Sequence, residues 1–200
     1  VYRIHLISWT QMEPAPHIAG SDLVVGIVKM AERMIILLDF EKILADVNPE
    51  MNKKMTAVPT STPDLMKIRQ QKTILIAEDS RMLRDLLLGT LHTAGYNTVS
   101  NENGQEAWDK LEAMVEGDAP VTDTIQMIIT DIEMPQMDGH HLTKRIKSHP
   151  RLKELPVVIF SSLINEEMRL KGEALGAYAQ VTKPEIEQLI GIVDQKIAHQ

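Results

Sequence analysis

Four separated apolar runs in this chain each end in a group able to do chemistry: TILIA in Glu78 and Asp79, MIIT in Asp131, VVIF in Ser161, and AQVT in Lys183. Each run is too short for a helix and rich in β-branched residues. Turn-forming residues follow, so each reads as a buried strand. In a parallel sheet the carboxyl ends of all strands lie on one edge, and groups remote in sequence converge there. Carboxylates about 4 Å apart repel by roughly 4 kcal/mol per pair at an effective dielectric of about 20. Such a cluster calls for a counter-charge or protonation. A divalent cation supplies the charge, and hard oxygen ligands with open positions suit Mg2+, which takes one or two carboxylates, waters and a phosphate oxygen. Lys183 adds a point charge, and the Ser161 hydroxyl can donate to a developing phosphoryl oxygen. Asp131 is then free to act as a nucleophile on phosphorus. Taken singly, Asp131 could cap a loop and Ser161 could bond backbone; it is the convergence that points to chemistry.

The elements that must position these groups alternate from Lys72 onward. After the strand from Thr73 to Ala77, Arg81 to Thr93 places Leu83, Leu86, Leu87, Thr90 and Leu91 on one helical face and stops at Gly95. The pattern continues with a strand at Asn97 to Ser100, a helix at Gly104 to Val115 and an acidic loop at Glu116 to Thr124. The strand that carries Asp131 follows, then a helix at Gly139 to His149, a strand at Pro156 to Phe160 and a helix at Glu166 to Leu175. A strand at Ala179 to Thr182 and a helix at Glu185 to Ala198 complete it. Successive βα units of this kind predict a doubly wound parallel sheet covered on both faces, with right-handed crossovers.

The first 71 residues have a different texture. Val1 to Trp9 alternates as a half-buried strand, with His5 lacking a second metal ligand at a useful spacing. Gln11 to Asp22 reads as a loop, Leu23 to Val28 and Met34 to Leu38 as a hairpin, and Asp39 to Leu44 as a helical turn. Asn48 to Gln71, with Pro49, Pro59 and Pro63, is a linker by composition, its end from Leu65 helical in pattern. With no nucleophile and base, phosphate loop or carboxylate cluster, this all-β segment reads as a binding module. Its two hairpin strands should present open edges and apolar faces.

A chain of 200 residues with 44% hydrophobic content can bury one full core and a smaller partner. The net charge of -7 falls wholly beyond residue 70: residues 1 to 70 carry 8 basic and 8 acidic side chains, leaving 21 - 8 = 13 against 28 - 8 = 20. Nucleic acid is a poor partner for that acidic part, and a cation or a basic protein face a good one. There is no cysteine, no apolar run of membrane-spanning length and no secretory pattern, which leads us to expect a cytoplasmic protein without membrane insertion. The opening Val1, in place of Met, reads as the start of a processed or truncated chain.

Residues 72 to 199 closely resemble the response-regulator receiver domain through ILIAEDS, ITDIEMPQMDG, VIFSS and VTKP, in order and at the right spacing. The resemblance implies a flavodoxin-like five-stranded sheet of order 2-1-3-4-5, the topology of the related regulator CheY. It also implies roles. Asp131 accepts a phosphoryl group from a histidine kinase, CheA-like in this setting. Mg2+ is held by Asp79, Asp131 and the backbone carbonyl of Glu133, with Glu78 helping. Ser161 is the switch hydroxyl, and Lys183 contacts the phosphoryl group and precedes a cis bond to Pro184. One departure is Gln180, which stands where many relatives carry a switch aromatic, with Tyr178 two residues earlier. The hairpin VVGIVKMAERMIILLDFEKIL resembles the carboxyl-terminal part of the CheW-like coupling domain, and RIHLISWTQMEPAP that of its fused CheV form. The organisation implied is a coupling-domain fragment at 1–47, a linker at 48–71 and a receiver at 72–200. Most of the coupling domain would lie upstream of Val1. Chemoreceptors are then the partners of the first part, and the protein is a phosphoacceptor regulator in chemotaxis signalling rather than a metabolic enzyme.

Two other classes compete. A magnesium-dependent phosphohydrolase of the aspartyl-phosphate type also places Asp at a strand end, but needs a second Asp two residues on, where Glu133 stands. A flavin module needs a phosphate-cradling loop after its first strand, where this chain has Glu78 and Asp79.

Overall fold

The computed structural model describes residues 12–14, 23–30, 33–38, 43, 47, 58–59, 61–162 and 164–198. The strand expected at Val1 to Trp9, most of the helical turn, and residues 48–57 and 60 of the linker lie outside the described residues. The chain forms two compact units, Val1–Pro49 and Glu50–Gln200.

In the first unit, strands β1 (Met12–Pro14), β2 (Val24–Met30) and β3 (Arg33–Leu38) form an antiparallel sheet in that order. The hairpin is the expected one, with Ile27 opposite Ile36 and Val28 opposite Ile35. Met12–Pro14 lies in the stretch read as a loop, and it pairs with Gly26 to Val28. One edge of β2 expected to be open is therefore covered, because backbone pairing does not need an alternating side-chain pattern. β3 keeps an apolar exposed surface, with Met34 and Leu38 each 56% exposed and Ile36 50%.

The second unit holds a parallel sheet of order β5-β4-β6-β7-β8, built from β4 (Thr73–Ala77), β5 (Asn97–Asn101), β6 (Met127–Thr130), β7 (Val157–Ser161) and β8 (Ala179–Thr182). In the strands' own sequence this is 2-1-3-4-5, the flavodoxin-like arrangement. Side-chain alternation divides the core between the two faces. Ile74, Ile76, Ile129, Val158 and Phe160 pack with Leu87 and Leu91 of α2 (Arg81–Ala94) and with Leu189 and Val193 of α6 (Ile186–Val193). Leu75, Ile128 and Val157 pack with Trp108 and Leu111 of α3 (Gly104–Val115) and with Leu142 and Ile146 of α4 (Gly139–Ser148). Strands apolar on both sides are what a sheet sandwiched between helices requires. Helix α5 (Glu166–Ala174) buries only Gly172.

Local signals set the helix ends. Ser80, Asn103, Asp138 and Asn165 each accept a backbone N–H of the first turn they cap. The Glu106 N–H donates to Asn103 Oδ1 at 2.9 Å, Asn103 Nδ2 donates to Glu106 Oε1 at 3.1 Å, and Glu106 Oε2 accepts from the Glu102 N–H just before the cap at 3.0 Å. Gly95 ends α2 at φ 103°, a left-handed conformation that only glycine adopts without cost.

The end of the compositional linker is α1 (Pro63–Arg69), started by Thr62 as cap and Pro63 in the first turn. Its Arg69 is fully buried. The guanidinium donates from Nε and Nη2 to the two carboxylate oxygens of Asp194 at 2.8 and 2.6 Å, and from Nη1 to the Ala94 carbonyl at 2.8 Å. The Tyr96 hydroxyl donates to the same carboxylate. The final helix, expected to run unbroken, widens into a π-helical turn over Asp194–Ala198, beginning at the residue that meets Arg69.

Candidate functional site

Strand register carries the four polar ends to one edge. Ala77 pairs with Thr130, Thr130 with Ile159, and Ser161 with Thr182, so the residues that follow β4, β6 and β8 emerge beside Ser161 at the end of β7. Glu78, Asp131, Ser161 and Lys183 are buried, whereas Asp79 is exposed. Carboxylate oxygens of Glu78, Asp79 and Asp131 lie within 4.8 Å of one another. Lys183 Nζ reaches Asp131 Oδ2 at 3.0 Å and Glu78 Oε2 at 2.9 Å. The ammonium therefore offsets two buried carboxylates at once, which meets the need of buried charge for a close partner. The other oxygen of Asp131 accepts from the Ile132 N–H at 2.6 Å, so both are oriented. The Glu133 side chain is exposed in the loop two residues on and lies outside the carboxylate cluster. The Lys183–Pro184 bond is cis.

The loop carrying Asp131 into α4 is held by close backbone approach. The Gly139 N–H donates to the Ile132 carbonyl at 3.0 Å. A Cβ built on Gly139 would collide with the Asp131 carbonyl oxygen and come within 3.0 Å of Thr130 Oγ1. The obstacle is backbone, which cannot swing aside as a long side chain can. Gly139→Ala is therefore expected to destabilise the unit by about 1–3 kcal/mol and to move the Asp131 loop, checked by thermal unfolding and by the amide resonances of Ile132 and Glu133. Unchanged stability and resonances would show that the loop yields freely.

Sequence periodicity missed Arg84. It lies on the buried side of α2 with Leu83 and Leu87, and its guanidinium reaches back to the Glu78 and Asp79 carbonyls. The signal available was a charged residue next to the apolar stripe. Gln180 lies against Gly172 and donates from Nε2 to the Arg169 carbonyl at 2.7 Å, while Tyr178 precedes β8 and is 41% exposed. The position three before Lys183 thus braces α5 with an amide.

The family signature of the response regulator receiver domain matches residues 74–194. The chain belongs to that family. Among curated relatives of this receiver, chemotaxis protein CheY1 of Helicobacter pylori is 30% identical over 118 residues, covering 58% of this chain and 89% of CheY1. Chemotaxis protein CheV3 of the same organism is 28% identical over 193 residues, covering 93% of this chain and 60% of CheV3. This chain thus spans about three fifths of that longer relative. Among solved structures, a response regulator from Chloroflexus aurantiacus superposes with a TM-score of 0.56 at 26% identity, covering 64% of this chain and 98% of that one. The phosphorylated cyanobacterial phytochrome response regulator RcpA gives 0.56 at 28% identity, covering 65% and 96%. Receiver domains are regulatory modules, and no helix among the described residues is long and apolar enough to cross a membrane.

Proposed function

We propose that the chain is a chemotaxis signalling protein whose receiver accepts a phosphoryl group on Asp131 from a histidine kinase and whose first unit engages the receptor–kinase assembly. The observation that carries this reading is the buried Asp131 carboxylate, held by Lys183 and the Ile132 N–H inside a cluster with Glu78 and Asp79. A carboxylate oxygen of Asp131 attacks the phosphorus of a phosphohistidine. The P–O bond forms as the P–N bond breaks, and the imidazole leaves with its electron pair and takes up a proton. Lys183 Nζ, already 3.0 Å from Asp131, offsets charge on the phosphoryl oxygens. The Ser161 hydroxyl donates to one of them.

The residues fit a bound Mg2+: three carboxylates offer oxygen donors in reach of one another, and the exposed Asp79 leaves room for water and phosphate ligands. Asp79, Asp131 and the Glu133 carbonyl would hold it, with Glu78 nearby. When bound, the ion neutralises charge on the transferring group. Lys183 stays with the phosphoryl oxygens and Asp131 keeps an oxygen for the attack.

The coupling role of the first unit is supported by two facts. The CheV3 alignment extends over 93% of this chain, beyond the receiver, and the described strands before residue 39 form an antiparallel sheet with an apolar exposed strand. CheW-like coupling between chemoreceptors and a CheA-like kinase is the role we assign to it. Incubation of the full chain with a phosphorylated chemotaxis histidine kinase and Mg2+ should move label from kinase to chain. Label that stays on the kinase, with Mg2+ present and the chain folded, would refute the phosphoacceptor reading.

A further inference from the structure

The reading of Glu78, Asp79 and Asp131 as a cation site leaves open what holds the turn after β4 in a binding shape, since Asp79 is exposed and Ser80 already begins α2. Arg84 lies one helical turn further on and is 8% exposed. Its Nη1 donates to the Glu78 carbonyl at 2.8 Å and to the Asp79 carbonyl at 3.2 Å. Its Nη2 donates to Glu102 Oε1 at 2.8 Å. Its backbone N–H donates to the Ser80 carbonyl at 2.8 Å, and the Ser80 N–H donates to Glu78 Oε1 at 3.2 Å. One residue thus meets consecutive carbonyls of the turn, 78 and 79 through its side chain and 80 through its backbone.

We propose that Arg84 is a positioning residue for cation binding: its guanidinium sets the peptide planes of Glu78 and Asp79, and so the directions in which their carboxylates leave the backbone. A guanidinium suits this task because its donors form a rigid planar fork, whereas an ammonium is a point charge on a flexible stem. The backbone that carries the fork's anchor is held as well, although the Glu102 side chain itself is 68% exposed. Glu102 follows β5, its N–H is held by Glu106 at 3.0 Å, and the preceding Asn101 donates from Nδ2 to the Ile76 carbonyl of β4 at 3.1 Å. The turn is thereby tied to the neighbouring strand's loop.

The proposal rests on the cation-site reading and has a sign that a charge argument alone does not share. Arg84 is positive, so its charge by itself opposes a cation, and its removal would tighten binding. Loss of the fork should weaken it. The test measures the Mn2+ dissociation constant of the full chain from the spectrum of the free aquo ion, with Mg2+ as competitor, in the parent, Asp79→Asn, Arg84→Gln and Arg84→Lys. Both Arg84 variants should bind Mn2+ about 10- to 100-fold more weakly, as when groups that orient metal ligands are lost. The lysine variant keeps the charge, so its loss isolates geometry, and it decides the matter if the glutamine variant does not fold. A residue that only stabilises the fold would lower the melting temperature and leave the Mn2+ constant unchanged. Parental or tighter binding in a folded Arg84 variant, with Asp79→Asn impaired, would overturn the positioning role alone. A parent that binds no Mn2+, or an Asp79→Asn chain that binds it as the parent does, would overturn the cation-site reading and the positioning role with it.

Discussion

Asp131→Asn is expected to take up no acid-labile phosphate under conditions in which the parent chain is labelled to a substantial fraction. The substitution conserves volume and leaves a carbonyl oxygen that can still accept the Ile132 N–H, the 2.6 Å bond that orients the side chain. An amide has no anionic oxygen, so the nucleophile is gone. The fold should survive. Lys183 loses one partner but keeps Glu78 at 2.9 Å, and the cluster sheds a negative charge that repelled its neighbours. Melting within a few degrees of the parent, together with absent label, is the expected pair of results. Equal incorporation in both chains would mean that phosphate goes elsewhere and that Asp131 is a structural carboxylate.

Arg69→Met is expected to lower the stability of the second unit by about 3–5 kcal/mol, the usual cost of removing one member of a buried ion pair. In a unit of this size that is a fall in melting temperature on the order of 10 °C. The reason lies in what is left behind. Among the described residues, Asp194 would keep a largely buried carboxylate with the Tyr96 hydroxyl as its remaining side-chain partner, and the Ala94 carbonyl would lose the guanidinium donor. The same cluster carries a pH signature. Burial, then the hydrogen bond to Asp194, pushes the Tyr96 phenol well above its usual range. An unfolded tyrosine ionises at about pH 10. Above that pH the unfolded chain releases a proton that the folded chain retains. Stability is therefore intact below about pH 10 and falls as pH rises past it. Tyr96→Phe should flatten this alkaline decline. A decline of the same slope in the phenylalanine variant, or a methionine variant as stable as the parent, would show that the cluster is solvated in solution.

The alternation of short apolar runs with amphipathic stretches determined the parallel sheet, its helices and which residues stand at strand ends. These are local properties: a strand buried on both faces must be apolar throughout, and each helix start must supply its own cap, as Ser80, Asn103, Asp138 and Asn165 do. The placement of Asp131 after β6 and Lys183 after β8 was legible for that reason. Their separation of 3.0 Å was not, because register and twist between strands set it. Tertiary structure alone decided the roles of Arg69 and Arg84. Each is one charge among several in a segment whose composition reads as linker or as one helix face, and its partner lies at Asp194 or Glu102, remote in sequence. The pairing of Met12–Pro14 with β2 was hidden likewise, since it joins backbone to backbone and leaves no mark on side-chain periodicity. Periodicity reports what each residue faces; only the folded chain determines which charged group meets which, because a buried charge is stable only where a distant partner has been brought to it.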